Sequence, residues 1–285
     1  MTPTQHEKGE RLAALHERPD TFIIPNPWDA GTARLLTAVG RFEALATTSG
    51  GLAFALGKPD NRGAVSRDEV IANARAIVDA THLPVSADLE NGYADDPEGV
   101  AETIRLAAEQ GGVVGGSIED STGDDAAPIY DFAHAVERVA AAAEAAAALP
   151  FRFALVGRCE NILHGRPDLD DTIRRLQAYE AAGATVLFAP GLATADDIRT
   201  VCQSVSRPLN VLGGIAPAGG VALSVAELAA LGVRRISIGS AMSRAALGAF
   251  LGAAEELLDT GTFGFTRAAI PYARLQELTS PGSAS

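Results

Sequence analysis

The chain has 285 residues, 47% of them hydrophobic, which suffices for a sizeable core and fits two ordinary domains or one large α/β barrel. A net charge of −13 argues against a nucleic-acid-binding protein, because such proteins present a basic surface. The cysteines Cys159 and Cys202 form neither a disulfide framework nor a zinc motif. The polar N-terminus and the lack of any apolar run of about 18 residues predict a cytoplasmic protein with no signal peptide and no membrane span.

Short apolar runs alternate with longer helical patterns along the chain. The runs predicted to be strands are Thr21–Ile24, Ala44–Thr48, Pro84–Asp88, Val113–Glu119, Arg152–Arg158, Thr185–Ala189, Leu209–Leu212 and Arg235–Ile238. The stretches predicted to be helices are Arg67–Ala80, Pro97–Glu109, Asp131–Ala148, Asp170–Ala182, Ala195–Val205, Val225–Leu231, Ala241–Leu258 and Tyr272–Leu278. This alternation favours parallel βαβ units.

Eight predicted strands with helices between them indicate a (β/α)₈ TIM barrel. We expect residues 1–279 to form one barrel domain and residues 280–285 to be a disordered tail. A doubly wound open sheet is the alternative, although no G-x-G-x-x-G motif follows the first strand. The surplus C-terminal helices suggest either a contact in a dimer or tetramer or a cover for the barrel floor.

Charged residues cluster where the predicted strands end, which is where TIM barrels carry their active sites. Asp88 and Glu90 end the third strand, and we expect alternation to turn both carboxylates to the same side. Like charges held together in an apolar setting require a proton or a cation between them. Glu119 and Arg158 end the next two strands. Hard carboxylate oxygens from neighbouring strands suit Mg²⁺ or Mn²⁺.

Arg158 and the segment Ser49-Gly50-Gly51 are the candidate anion-binding groups. A guanidinium can bind a carboxylate through two parallel hydrogen bonds, and glycine lets a ligand approach backbone N–H groups closely. Simpler interpretations exist for each residue. Glu119 could form a structural salt bridge with Arg158, and Asp29 and Asp120 could be helix caps or outward-facing ion-pair partners.

Several motifs resemble the isocitrate lyase/phosphoenolpyruvate mutase superfamily in residue type, order and spacing. They are Asn26-Pro27-Trp28-Asp29-Ala30, Thr48-Ser49-Gly50-Gly51, Gly57-Lys58-Pro59-Asp60, Asp88-x-Glu90-x-Gly92-Tyr93, Ile118-Glu119-Asp120 and Arg158-x-Glu160. The resemblance extends from about Pro25 to Ala246. It implies a Mg²⁺-binding barrel that exchanges a C-terminal helix between subunits and usually forms tetramers. It also implies making or breaking C–C or P–C bonds next to a pyruvate or oxaloacetate enolate.

The resemblance further implies a role for each site residue. Asp88 corresponds to the direct Mg²⁺ ligand, Glu90 and Glu119 correspond to groups that hold the waters of the metal, and Asp60 is expected to join them. The residues that correspond to substrate-binding groups are Ser49, Gly50, Gly51, Arg158 and Asn210.

The chain also departs from the pattern of the superfamily. The metal motif is usually Asp-x-Asp, whereas here it reads Asp88-Leu89-Glu90. The lyases carry a loop with a catalytic cysteine after the fourth strand, but residues 121–128 read STGDDAAP, which also lacks the lysine of the mutases. Cys159 cannot substitute, because alternation turns it away from Arg158. The candidate proton donors are therefore Tyr93, Tyr130 and His164.

The favoured hypothesis is a Mg²⁺-dependent lyase that cleaves a C–C bond in a small 2-hydroxy- or 2-oxo-carboxylate, decarboxylation included. The alternatives are a P–C bond mutase or hydrolase and a non-catalytic barrel that binds dicarboxylates. A phosphosugar barrel would use Gly213-Gly214 and Gly239-Ser240 as a phosphate cradle. A Schiff-base aldolase is disfavoured because the only lysines, Lys8 and Lys58, lie outside the predicted strands.

Overall fold

A computed structural model describes residues 3–60, 63–216, 218, 220 and 222–280. Eight parallel strands form one sheet in the order β1-β8-β7-β6-β5-β4-β3-β2. A backbone hydrogen bond of 3.0 Å from the Ala46 nitrogen to the Pro25 oxygen joins β2 to β1 and closes the ring. The strands are β1 Phe22–Ile24, β2 Leu45–Ala46, β3 Val85–Asp88, β4 Gly115–Glu119, β5 Ala154–Arg158, β6 Val186–Phe188, β7 Leu209–Leu212 and β8 Arg235–Ser237. The predicted TIM barrel is confirmed; β7 has the predicted bounds, and the other seven strands are shorter than predicted.

Helices surround the barrel and continue beyond its last strand. They are α1 Gln5–Glu17, α2 Ala30–Ala38, α3 Ser49–Ala55, α4 Arg67–Asp79, α5 Pro97–Glu109, α6 Phe132–Ala147, α7 Leu169–Ala181, α8 Ala195–Ser204, α9 Val225–Ala230, α10 Ala241–Asp259 and α11 Tyr272–Thr279, with a 3₁₀ turn at Gly264–Arg267. The predicted helices are all present with bounds that agree within one residue, whereas α1, α2 and α3 were not predicted. Among the helices of the described residues, none is long and apolar enough to cross a membrane. The predicted tail, apart from Ser280, lies outside the described residues.

The N-terminal helix α1 covers the floor of the barrel. It begins with a capping box between Thr4 and Glu7. Leu12 and Leu15 of α1 are buried against apolar residues in or just before four strands, namely Phe22, Ile24, Ala44, Ala46, Val114 and Ala154. The sequence had suggested the C-terminal helices as one possible cover for the floor. That suggestion is wrong, because Phe250 and Leu251 on α10 are 69% and 59% exposed.

Side chains of the strands alternate between the barrel interior and the layer beneath the helices. Cys159 is buried in the outer layer, whereas Arg158 lines a cavity inside the barrel mouth. The predicted separation of Cys159 from Arg158 is therefore confirmed, and the Cys159 thiol has no route to a substrate in that cavity.

His16 on α1 gives the barrel floor a pH-dependent stability. Its Nδ1 donates to the Leu12 oxygen at 2.8 Å, and its ring packs edge-on against Phe22. Burial, with the positive charge of Arg235 as a smaller cause, lowers the pKa of His16 from 6.5 to about 3. The folded protein therefore keeps His16 neutral, while the unfolded chain takes up a proton below its ordinary pKa. This contribution to stability is present above pH 6.5 and is lost as the pH falls from 6.5 toward 3.

We expect His16→Gln to remove this pH dependence. Between about pH 7.5 and about pH 5.5, the free energy of unfolding of the unaltered protein should fall by about 1.4 kcal/mol more than that of the variant. Urea unfolding at both pH values measures the difference. His6→Gln, at an exposed position of the same helix, is the matched control and should behave like the unaltered protein. Equal losses for His16→Gln and the unaltered protein would show that His16 is protonated in the folded state.

Candidate metal and substrate site

Two cavities at the carboxyl ends of the strands contain most of the predicted site residues. The first has a volume of about 210 Å³, and its walls include Ser49, Gly50, Asp60, Asp88, Arg158 and Asn210. The second has a volume of about 680 Å³, and its walls include Glu90, Tyr93 and Glu119. Gly51 is the one predicted metal- or substrate-binding residue that lines neither cavity.

Asp88, the last residue of β3, is held in a fixed orientation at the mouth of the barrel. Its Oδ2 accepts hydrogen bonds from the Ser49 backbone nitrogen at 3.0 Å and from the Ser49 hydroxyl at 2.9 Å. Its Oδ1 lies 3.4 Å from Arg158 Nη1, and the side chain remains 17% exposed. The carboxylate is thus oriented by its neighbours and still accessible from the cavity.

The Ser49-Gly50-Gly51 segment begins helix α3 instead of forming an open turn. The Gly51 N–H donates to the Thr48 hydroxyl at 3.2 Å, and the Ser49 N–H donates to Asp88. Gly50 remains at the cavity wall, where a Cβ atom would come within 2.6 Å of Asp60 Oδ2. Glycine at this position therefore allows Asp60 to approach the backbone.

Glu90 lies in a tight turn and not on the strand, so the alternation argument that paired it with Asp88 is wrong. β3 ends at Asp88, and the turn places Glu90, Gly92 and Tyr93 at φ values of +48°, +79° and +55°. Such a backbone costs about 1 kcal/mol or more at each non-glycine residue. The two carboxylates nevertheless lie close enough for the charge of Asp88 to act on Glu90.

Arg138 on α6 holds this turn in place. The side chain is fully buried, and its guanidinium stacks over the Tyr130 ring at 4.1 Å. Its nitrogens donate to backbone oxygens on both sides of the turn and at the end of β4, namely those of Asn91, Ala94, Asp95 and Glu119. Arg138 therefore positions the segments that carry Glu90, Tyr93 and Glu119.

Burial and neighbouring charge shift the pKa values of the turn residues upward. Burial, followed by the charges of Asp88 and Asp60, raises the pKa of Glu90 to about 7. Burial and the nearby carboxylates, Glu90 foremost, hold the pKa of Tyr93 well above its usual value. Tyr93 therefore keeps its proton at neutral pH and can act as a donor but not as a base.

Arg158 connects three carboxylates beneath the mouth of the barrel. Its Nε lies 2.5 Å from Glu160 Oε1, and its Nη1 lies 3.2 Å from Glu119 Oε2 and 3.4 Å from Asp88 Oδ1. Burial opposes its charge, but these carboxylates outweigh that effect and hold the pKa of Arg158 above its usual value. Burial in turn raises the pKa of Glu119, although Arg158 opposes that shift. These contacts use Nε and Nη1, and no hydrogen bond joins Nη2 to the described residues.

Other strand-end residues have structural roles. Asp29 caps α2, as the sequence suggested, by accepting from the Thr32 nitrogen at 2.7 Å. Asp120 is buried and not outward-facing, because Arg175 and Tyr179 bind its Oδ2 at 3.2 and 2.6 Å. Its Oδ1 accepts from the Glu160 nitrogen at 2.7 Å and so holds the segment after β5.

The two other candidate proton donors lie outside both cavities. Tyr130 donates its hydroxyl hydrogen to Asp95, and His164 Nε2 lies 3.3 Å from the Ser121 hydroxyl and 3.9 Å from Glu160 Oε2. Of the three candidates, only Tyr93 lines a cavity together with Glu90 and Glu119.

The carboxylates fit a loosely held hard cation better than a fully enclosed one. Among the described residues, no three histidine, cysteine, aspartate or glutamate side chains converge to ligate one ion directly. Mg²⁺ keeps several waters and needs only one or two carboxylates from the protein. Asp88 as the single direct ligand, with Glu90, Glu119 and Asp60 nearby, satisfies that requirement.

Comparison with known proteins identifies the family. A family model described as phosphoenolpyruvate phosphomutase matches residues 12–258. The chain belongs to the isocitrate lyase/phosphoenolpyruvate mutase superfamily. Members of this superfamily include Mg²⁺-dependent enzymes that act on C–C bonds and others that act on P–C bonds.

Three relatives show which proteins of the superfamily this chain is similar to. A crystal structure from Burkholderia cenocepacia J2315, whose lyase or mutase activity is itself a proposal, matches with a TM-score of 0.94 and 57% identity, over 99% of this chain and 98% of that one. An uncharacterized protein of Mycobacterium tuberculosis (strain ATCC 25618 / H37Rv) is 32% identical over 92% of this chain and 93% of its own length. The 2-methylisocitrate lyase of Bacillus subtilis (strain 168) is 27% identical over 72% of this chain and 67% of its own length.

The structure also weakens two alternatives raised by the sequence. The N–H groups of Gly213 and Gly239 donate to Ser237 and Asn26, so these glycines do not present a phosphate cradle. Lys8 donates to the Thr81 oxygen at 3.0 Å, and Lys58 pairs with Glu69 at 2.6 Å. Neither lysine lines the cavities, so a Schiff-base mechanism has no nucleophile there.

Proposed function

We propose that this superfamily member is a Mg²⁺-dependent lyase that cleaves a C–C bond in a small 2-hydroxy- or 2-oxo-carboxylate. The observation that carries the proposal is the position of Asp88. Its carboxylate is fixed by Ser49, accessible from the cavity in the barrel mouth, and adjacent to the buried cation of Arg158. The 2-methylisocitrate lyase relative supports a C–C lyase over the other reactions of the superfamily.

Each residue of the site has a distinct part in this proposal. Mg²⁺, when bound, supplies positive charge next to the electron pair released as the bond breaks. Asp88 would hold the ion directly, while Glu90, Glu119 and Asp60 would hold the water molecules bound to the ion. Arg158 Nη2 and the Gly50 N–H would fix the substrate carboxylate, and Asn210 would contact the other end of the substrate. Ser49, whose N–H and hydroxyl both donate to Asp88, would act on the site by orienting that carboxylate.

Tyr93 is the residue proposed to donate the proton that the product carbon takes up. Its phenol stays protonated, and it lines the cavity that Glu90 and Glu119 also line. Decarboxylation of a 2-oxo acid suits this chain best, because loss of CO₂ needs no base to remove a hydroxyl proton. The absence of cysteine, lysine and histidine from residues 121–128 is then no obstacle.

A panel of small acids tests the proposed function. We expect pyruvate or oxaloacetate to be released from at least one 2-oxo- or 2-hydroxy-acid with Mg²⁺, and the release to stop when a chelator is added. Phosphonopyruvate belongs in the same panel, since phosphate release from it alone would favour the P–C alternative. Mg²⁺-dependent binding without turnover of any compound would favour a binding protein and contradict the lyase.

We further propose that the α10 segment contacts a second copy of the chain. Large apolar residues on and after α10 are exposed, namely Phe250, Leu251, Leu258, Phe263, Ile270 and Tyr272. An apolar surface of this kind on a water-exposed helix favours burial against a partner. The superfamily resemblance suggests that this partner is another subunit. Sedimentation equilibrium should show a dimer or tetramer, and a monomer at micromolar concentration would contradict this.

A further inference from the structure

Arg235 is a buried cation inside the barrel that pairs with no carboxylate in the part of the chain that the structure describes. It is the first residue of β8, it is 5% exposed, and it lines the same cavity as Asp88 and Arg158. Its Nε and Nη1 are buried and make no hydrogen bond, and no carboxylate of the described residues lies within ion-pair distance. Arg158, which lines the same cavity, by comparison contacts three carboxylates.

A buried guanidinium costs free energy unless an anion pairs with it. Taking a charge out of water without a paired group is among the largest penalties in a protein interior. Burial accordingly lowers the pKa of Arg235 to about 10, and the charge of Asp88 offsets this only in part.

The groups around Arg235 define the chemistry of that ligand. Asn210 is the neighbour of Arg235 across the β7–β8 pair, and its Oδ1 is also buried without a partner. Its Nδ2 donates to the Ser237 hydroxyl at 2.9 Å. His16 lies on the floor side, neutral and with Nε2 unpaired, and Asp88 is the negative charge that acts on Arg235. Arg235 therefore lacks a negatively charged hydrogen-bond acceptor, and Asn210 Oδ1 lacks a hydrogen-bond donor.

We propose that Arg235, together with Asn210, forms an anion subsite at the base of the cavity for a second acidic group of the substrate. A carboxylate or a phosphonate would satisfy Arg235, and a hydroxyl on the same molecule would satisfy Asn210. The inference builds on the proposed function, because it takes this cavity as the reaction chamber. It narrows the substrate to a dianion whose two acidic ends bind Arg158 and Arg235.

Binding of matched mono- and dianions tests the subsite. The probes are pyruvate, malonate, succinate, oxaloacetate and phosphonoacetate, titrated by calorimetry with and without Mg²⁺. The proteins are the unaltered chain, Arg235→Met, Arg235→Lys and the control Arg199→Met, which alters an exposed arginine paired with Asp196 on α8. A charge-assisted hydrogen bond at this site corresponds to about 10–100-fold in affinity.

We expect the unaltered protein to bind at least one dianion about 10-fold or more tightly than pyruvate. Arg235→Met should lose that preference while its pyruvate affinity stays within about twofold, and Arg199→Met should match the unaltered protein. Preference for phosphonoacetate or for a dicarboxylate identifies the acidic group. Arg235→Met should also raise the melting temperature of the ligand-free protein by about 2 °C or more, because an unpaired buried charge is removed.

Two results would overturn the subsite. One is a preference for dianions over pyruvate that survives in Arg235→Met. The other is the absence of any such preference in the unaltered protein, which is expected if only water bridges Arg235 and His16. If Arg235→Met does not fold, Arg235→Lys decides, since it should weaken dianion binding about 10-fold without changing pyruvate binding. A preference that depends on Arg235 but not on Mg²⁺ would sustain the subsite while the proposed lyase function fails.

Discussion

Replacing Asp88 with asparagine is expected to lower kcat/KM of the Mg²⁺-dependent reaction by about 1000-fold or more, since several kcal/mol of charge stabilisation are lost. The substitution keeps the shape of the side chain and its contacts with Ser49, but it removes the negative charge that would hold the ion. Mg²⁺ affinity, measured by calorimetry, should fall in parallel. Both quantities must change, because a direct ligand affects binding and turnover together.

A matched control separates this effect from a general loss of negative charge. Asp79→Asn alters an aspartate that is 56% exposed on α4 and paired with Arg75. It should leave the Mg²⁺ affinity and kcat/KM unchanged. An Asp88→Asn protein that binds Mg²⁺ normally and loses only activity would show that Asp88 acts on the substrate and not on the metal.

Replacing Arg158 with methionine is expected to lower the free energy of unfolding by about 3–5 kcal/mol. The reason is that Glu119, Glu160 and Asp88 would remain close together without the cation they share. Substrate affinity should fall as well, because Nη2 is the proposed contact to the substrate carboxylate. Arg158→Lys retains a charge but not the planar fork, so it should have smaller effects in the same direction.

The pH dependence distinguishes the loss of charge from the loss of packing. Without Arg158 the buried carboxylates bind protons more readily, and the pKa of Glu119 is already raised by burial. Arg158→Met should therefore recover stability as the pH is lowered from about 7.5 to about 5.5, since the folded state then takes up more protons than the unfolded one. Arg105→Met, which disrupts an exposed pair with Glu102, serves as the control. A deficit that is constant with pH would indicate lost packing instead.

The sequence predicts the barrel strands and most helices because each has a regular pattern. The strands are apolar runs, and α4 to α8 have apolar faces long enough to be recognised. Helix α1 escaped prediction because only Leu12 and Leu15 supply a large apolar surface among many polar residues. Helices α2 and α3 are short and rich in alanine, glycine and threonine, which also occur in turns.

One rule of barrel architecture predicts part of the site from the sequence. The positions that depend on contacts between distant segments could not be predicted. Strand ends meet at one face of a barrel, so Asp88, Glu119 and Arg158 could be placed together from their positions in the sequence. Nothing local in the sequence indicates that Arg138 binds the backbone of the 90–95 turn, or that Arg235 lies inside the barrel with no carboxylate of the described residues paired to it. Glu160 was singled out from the sequence in the motif Arg158-x-Glu160, although it lies beyond the end of β5 and Asp120 holds its backbone nitrogen.

A manganese-soaked crystal is the most direct test of a metal held by Asp88, because Mn²⁺ replaces Mg²⁺ and scatters anomalously. We predict an anomalous peak in the cavity within direct coordination distance of the Asp88 carboxylate, with Glu90 and Glu119 facing the ion. A map without a peak there, with Asp88, Glu119 and Glu160 all bound to Arg158, would contradict the proposed metal site and the lyase chemistry built on it.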